Sequence, residues 1–276
     1  MEMSVKGSVC MLACPALEDE LIFGLENDPD EKNVYVADDE NSNTLIEKME
    51  QHGIPYQLLD EYRMRTSTDL DPDAYNVVVL MNPMRLHSEP AKLKAYLEDQ
   101  LKFYQCRFDV IGLYYGMCGN YGWDVSEWAR ENLSIPVTAF HDDRGEVCDD
   151  CIAVAVGGRR QYSDLVRNYT GMLFLTPSVA TNWGKHDDPL DDREWRGFYD
   201  SCDDYMRDMF SWGGYKYALR VDTGLGDRVN VDQACRDVAE KMGLELIDPR
   251  EPIATTVLAA SMYNRTKAAL GHRLSD

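Results

Sequence analysis

Three of the eight cysteines lie where a predicted strand gives way to a loop or a helix: Cys14, Cys118 and Cys151. Because the carboxyl ends of parallel strands share one edge of a sheet, thiols from three separate crossovers can meet in one crevice. Three thiolates suit Zn²⁺, with a fourth position left for His141, water or substrate, and they also suit an iron–sulfur cluster. The sequence therefore predicts a metal–thiolate site assembled from distant parts of the chain.

The segment around Cys118 defines the floor of this predicted crevice. An apolar run over Val110–Tyr115 predicts a buried strand, and glycines at 116, 119 and 122 follow it. Glycine allows positive φ angles and lets the backbone come close to a bound group. We therefore expect this loop to bind a cofactor through Gly116, Gly119, Asn120 and Trp123, with Tyr115 and His141 at the rim. The alternatives are a tight turn around a small buried thiol and a Trp123 ring that packs under the following helix.

The other two cysteines are predicted at the N-termini of helices. Pro15 suits a first helical turn, so Cys14 lies at or just before the start of a helix. Two aspartates precede Cys151 and are good N-caps, which predicts a short helix over Asp150–Val156 with this cysteine in its first turn. At such positions the orphan N–H groups and the helix dipole favour a thiolate over a thiol.

The remaining cysteines and histidines receive other interpretations. Four cysteines lie inside apolar periodic stretches and are assigned to the core: Cys10, Cys106, Cys202 and Cys235. Cys148 is left open between a fourth metal ligand and a loop thiol. Four histidines are assigned to solvent-exposed positions: His52, His87, His186 and His272.

Predicted strands and helices alternate along nearly the whole chain, which is typical of a mainly parallel sheet with helices on both faces. We therefore predict a Rossmann-like, doubly wound α/β fold. The chain is taken as a single domain over 1–276, with a division into two lobes near residues 84–88 as the alternative. A long amphipathic helix is predicted over Arg193–Ser211, and a loop over Ser178–Asp192.

The charge balance excludes several classes of partner. The chain carries 28 basic and 49 acidic residues, for a formal net charge of −21. Nucleic acids and anionic membranes both require a basic surface, so neither is an expected partner.

No apolar run in the sequence approaches the roughly 20 residues of a membrane span. The apolar strand after the N-terminus is too short for a signal peptide, so we expect a cytoplasmic protein.

Several blocks of the sequence resemble an uncharacterised family of archaeal and bacterial cytosolic proteins, a domain of unknown function with the number sixteen thirty-eight. The resemblance covers about residues 8–215. The matching blocks are Ala13-Cys14 before an acidic helix, Tyr115-Gly116-Met117-Cys118-Gly119-Asn120, Ile135-Pro136, Asp149-Asp150-Cys151-Ile152, Gly157, Tyr162 and Leu175-Thr176-Pro177. The chain departs from the family pattern in an insertion over Asp142–Cys148 and in Tyr121-Gly122-Trp123. His141 and Cys148 are therefore not carried over from the family.

Members of this family are often encoded beside corrinoid-dependent methyltransferases for methylamines and related compounds. The resemblance implies a role in C1 metabolism, including methanogenesis, with a corrinoid protein or a methyltransferase as the partner and a corrinoid as a further candidate cofactor. Our leading interpretation is a metal–thiolate protein whose zinc acts as a Lewis acid or whose cluster passes electrons. Two alternatives are a non-catalytic module that holds a corrinoid or its carrier protein, and a structural protein with three inert thiols.

Overall fold

The computed structural model describes residues 5–60, 63, 70–84, 86, 89–116, 123–148, 150–185 and 197–273. In this part of the chain, nine strands form two sheets with helices around them. The strands are β1 (Gly7–Ala13), β2 (Asn33–Ala37), β3 (Gln57–Leu59), β4 (Tyr75–Met81), β5 (Val110–Tyr114), β6 (Val137–Ala139), β7 (Met172–Leu175), β8 (Tyr217–Arg220) and β9 (Glu245–Ile247). The helices are α1 (Glu18–Asn27), α2 (Asn43–Gln51), α3 (Pro90–Tyr104), α4 (Val125–Asn132), α5 (Cys151–Val156), α6 (Arg159–Asn168), α7 (Pro177–Thr181), α8 (Cys202–Trp212), α9 (Arg228–Lys241) and α10 (Val257–Arg273).

The first sheet has six strands in the order β3-β2-β4-β1-β5-β6, and all of its pairs are parallel. Strands β1, β4 and β5 are the apolar runs at its centre, which are buried on both faces as parallel sheets require. The connections from β1 to β2 and from β4 to β5 run in opposite directions along the sheet. Right-handed crossovers therefore place α1 and α3 on opposite faces. The predicted α/β class is confirmed.

The second sheet has three parallel strands in the order β7-β8-β9. Helix α7, which follows β7, packs against α9 and against a 3-10 turn over Pro15–Leu17 that follows β1. The last helix, α10, leaves the second sheet and packs on α1, β1, β5 and β6 of the first. The two sheets are thus tied together by α7 and by α10.

The structure corrects two predicted elements in the second half of the chain. Of the helix expected over Arg193–Ser211, residues 193–196 lie outside the described residues, and 197–201 are not helical. The helix begins at Cys202, because the Ser201 hydroxyl accepts from the Asp204 N–H and caps it there. Phe198, expected inside that helix, precedes it and is 79% exposed. The predicted loop after Pro177 instead contains α7, which the Thr176 side chain caps.

The predicted core thiols divide into two groups. Cys10 and Cys235 are buried, as expected. The prediction for Cys106 is wrong, because α3 ends at Tyr104 and leaves this thiol exposed in the following turn. Cys202 is only half-buried, at the first position of α8. Among the helices that the structure describes, none has the length and apolar character of a membrane span.

Candidate functional site

The centre of the first sheet contains a point where its connections diverge. The chain leaves β1 toward β2 on one side and leaves β5 toward β6 on the other, although β1 and β5 are neighbours. Open α/β sheets bind ligands at such a topological switch point, just beyond the carboxyl ends of the strands. Cys14 directly follows Ala13, the last residue of β1, and Gly116 comes two residues after Tyr114, the last residue of β5.

Cys14 is fixed to the neighbouring strand by its own backbone. Its N–H donates to the Tyr114 carbonyl oxygen at 3.0 Å, which continues the parallel ladder by one residue beyond β1. The chain then turns into Pro15–Leu17, as the proline predicted. Cys14 is only 4% exposed. Burial raises the pKa of this thiol to about 12, so it holds its proton at neutral pH, and the thiolate expected from its position at the start of a helix is wrong for Cys14.

Gly116 brings the loop that carries Cys118 against the start of α5. A Cβ atom at this position would overlap the Asp150 carbonyl carbon and Cα and the Cys151 nitrogen. Glycine is needed here for close approach of two backbones. The loop after β5 and the N-terminus of α5 are therefore in direct contact. Cys118, Gly119 and Asn120 themselves lie outside the described residues, and their predicted roles stay predictions.

Helix α5 presents Cys151 in its first turn, as the sequence predicted. The Asp150 side chain accepts from the Ala153 N–H at 2.8 Å and so caps the helix. Gly157, with φ of 93°, ends the helix in the left-handed conformation. Cys151 is 7% exposed and lies beside the backbone of Gly116. Two of the three predicted cysteines are therefore described, and each adjoins the end of β5.

The other predicted site residues are held in structural contacts. His141 Nδ1 lies 2.8 Å from the Ala139 carbonyl oxygen, and Nε2 lies 3.1 Å from the Ser126 hydroxyl oxygen. Because a carbonyl only accepts, the neutral ring donates from Nδ1 and accepts at Nε2. Trp123 is 6% exposed and meets Trp128 of α4 edge-to-face at 5.9 Å. These contacts favour structural roles for both rings, whereas their predicted ligand roles have no direct test here.

Sequence reasoning missed a buried acidic cluster at the start of α1, formed by Glu18, Asp19 and Glu20. Lys48 of α2 lies between two of these carboxylates, with Nζ at 2.8 Å from Glu18 Oε1 and 2.7 Å from Asp19 Oδ1. Although burial lowers the pKa of Lys48, the attraction of Asp19 and Glu18 raises it, so the ammonium stays charged. Three acidic residues in the first turn are typical of a helix N-terminus. The sequence pattern does not show whether their carboxylates are buried or solvated.

Helix α7 supplies the remaining donors to this cluster. The Ser178 hydroxyl donates to Asp19 Oδ2 at 2.6 Å, and Asn182 Nδ2 donates to Glu18 Oε1 at 2.7 Å. The Oε2 atoms of Glu20 and Glu18 are both buried with no hydrogen-bond partner among the described residues. Burial, with the charge of Asp19, raises the pKa of Glu20 to about 8. This carboxyl group is therefore largely protonated at neutral pH.

The thiols are the donors of this region that a soft metal would use. Within the described ranges, no three His, Cys, Asp or Glu side chains form a group that could hold an ion. The third predicted thiol, Cys118, is not among those residues. The buried thiols of Cys14 and Cys151 are donors of the type that zinc and iron–sulfur clusters use.

The chain was also compared with known proteins. The model of a family described as "Protein of unknown function (DUF1638)" matches residues 81–254, which is more than half of the chain. This range contains β5, the loop after it, α5 and α7, but it begins after Cys14. No curated protein matches the chain.

Proposed function

We propose that this chain, which belongs to the DUF1638 family, is a metal–thiolate protein that supports corrinoid-dependent methyl transfer in C1 metabolism. In this proposal Cys14, Cys118 and Cys151 hold one Zn²⁺ ion or one iron–sulfur cluster. The protein works in the cytoplasm with a corrinoid protein or a methyltransferase. The position of the cysteines after strands of the parallel sheet supports the metal site. The family resemblance alone supports the role in methyl transfer.

The observation that carries the proposal is the arrangement around the end of β5. The N–H of Cys14 donates to Tyr114, and two residues later the backbone of Gly116 touches Asp150 and Cys151. The chain at Cys14 thus contacts the end of β5, and the chain at Cys151 contacts Gly116, two residues before Cys118 in sequence. This arrangement lies at the switch point, where an α/β sheet offers its ligand site.

The protein residues would control protonation and access at this site. The bound metal would supply a Lewis acid, if it is zinc, or an electron carrier, if it is a cluster. Cys14 is a neutral thiol in the metal-free protein, so binding must release its proton, and affinity must rise with pH. Because both nitrogens of His141 are engaged with Ala139 and Ser126, we leave the fourth position to water or substrate.

The test is metal analysis of protein purified without oxygen, together with its visible spectrum. We expect close to one zinc ion, or one brown cluster, per chain. The changes Cys14→Ser, Cys118→Ser and Cys151→Ser should each abolish metal binding. Cys235→Ser, at a buried thiol, and Cys106→Ser, at an exposed thiol, are the matched controls and should retain it. A folded, metal-free preparation, or equal loss in the two controls, would refute the proposal.

A further inference from the structure

A cavity of about 980 Å³ lies beside the proposed metal site. Its walls come mainly from α6, β7 and α8, and one end reaches Asp150 and Cys151 at the start of α5. Aromatic rings dominate the lining. They include Tyr162, Tyr169, Phe174, Phe210 and Tyr215. This volume is at the upper end of the range for small-molecule sites and far above that of a packing defect.

Helix α8 shows that this space is not filled by the protein's own core. None of its 11 residues is buried, although its sequence is amphipathic. Met206 and Phe210 line the cavity and are only partly buried there. A helix of this kind normally buries its apolar face against a partner. Here Met206 and Phe210 pack against the edge of the core and also face the cavity, so part of the apolar face of α8 remains available to a bound molecule.

The charges around the cavity restrict the ligand. Among the described residues, the charged side chains that line it are Asp150, Asp200, Asp203 and Lys241. Lys241 Nζ lies 3.4 Å from Asp203 Oδ2, so this ammonium already faces a carboxylate. Asp150 Oδ1 accepts from the Ala153 N–H at the start of α5. An anionic ligand would therefore meet more carboxylates than cations in the described lining, whereas a cation would be attracted by the aromatic faces and by Asp200.

We propose that this cavity binds an apolar organic cation and rejects nucleotides and other phosphate-bearing cofactors. The proposal rests on the volume, the aromatic lining and the excess of carboxylates. It does not depend on the metal, although Cys151 borders both sites.

The test uses two probes of matched size and shape, the tetraphenylphosphonium cation and the tetraphenylborate anion, in calorimetric titrations of the full chain. We expect the cation to bind about tenfold more tightly than the anion. Asp200→Asn should reduce this preference, whereas Asp237→Asn, an exposed change on α9 away from the cavity, should leave it intact. Equal affinity for both probes, or no binding of either, would overturn the proposal.

Two further variants distinguish this proposal from the proposal of a metal–thiolate site. Met206→Lys should place an ammonium group in the lining and weaken cation binding by about tenfold or more, because like charges repel. Circular dichroism and Tm should show that the fold is retained, since Met206 is only partly buried. Unchanged binding in that variant would place the probe elsewhere and refute the site. Cys118→Ser should lose metal and still bind the cation. Loss of metal alone would therefore count for the thiolate site, and loss of the cation in Met206→Lys alone would count for the cavity.

Discussion

Glu20 is a buried acid whose charge is poorly compensated. The nearest cation of the acidic cluster, Lys48, is already shared by Glu18 and Asp19. On the side of the sheet, Glu20 faces Tyr114, whose hydroxyl oxygen is also buried without a partner among the described residues. Removing a carboxylate from water without pairing it disfavours the charged form. At this position the folded protein therefore holds a proton that the unfolded chain would release.

Glu20→Gln should make the protein more stable at neutral and alkaline pH. The pKa of Glu20 rises from 4.5 to about 8 on folding. The free energy of unfolding therefore falls as pH rises through this window, and it stops falling above it. An amide removes this dependence, so at about 1.4 kcal/mol per pH unit we expect a gain of about 4 kcal/mol near pH 7.5 and less than about 0.5 kcal/mol near pH 4.5.

Urea unfolding at several pH values measures this difference directly. Glu240→Gln, at an exposed position of α9, is the matched control and should change stability by less than about 0.5 kcal/mol at any pH. A gain in Glu20→Gln that is the same at both ends of the pH range would contradict a proton held on Glu20.

At the level of elements, Gly116 after β5 lies in direct contact with the start of α5. The contact has no room for a side chain at 116, because backbone atoms of Asp150 and Cys151 fill that space. Backbone cannot move aside as a flexible side chain can. One added methyl group would therefore separate the loop from the helix.

Gly116→Ala should lower stability by about 1–3 kcal/mol and also weaken metal binding. Gly271→Ala is the control, because a Cβ at that position of α10 meets open space. Thermal unfolding and metal content of the two variants give the comparison. If Gly116→Ala retains both Tm and metal, the close contact at α5 has no role in the site.

The local elements of this site could be predicted from the sequence, but their surroundings could not. Apolar runs that stop at Cys14 and Gly116 predicted the strand ends, and Asp150 predicted the start of α5. The burial of Glu18 and Asp19 depends on α7, which lies about 160 residues away in sequence, so no local pattern contains it. Strands β7, β8 and β9 form a second sheet because they pair with one another and not with the first six strands. The alternation of strands and helices along the sequence does not specify which strands pair.

On the scale of the whole molecule, α7 joins the two sheets through buried polar contacts. Asn182 is fully buried, and its Nδ2 donates to Glu18 Oε1 and to the Ser178 carbonyl oxygen. Ser178 in turn donates to Asp19. Buried polar contacts of this kind specify one arrangement of the packed parts, since any other leaves donors and carboxylates unpaired.

Asn182→Asp should destabilise the chain by about 3 kcal/mol at neutral pH, because it replaces a donor with a second carboxylate facing Glu18. The loss should be smaller near pH 5, where one of the two carboxylates can take up a proton. Asn230→Asp, at an exposed position of α9, is the control for the charge itself. Calorimetric melting of both variants measures the effect, and equal Tm values for the two would refute this role of Asn182.

The path of α10 has a consequence for how the protein is made. This helix follows every described strand in the chain, yet it presses Thr266 against Gly112 and Met262–Thr266 against the middle of the first sheet. A nascent chain that has emerged only as far as Ile247 therefore holds all of those strands and still exposes apolar surface on β5. The first sheet starts with the first described strand and is covered only by the last described helix. During that interval the exposed apolar surface is prone to aggregation.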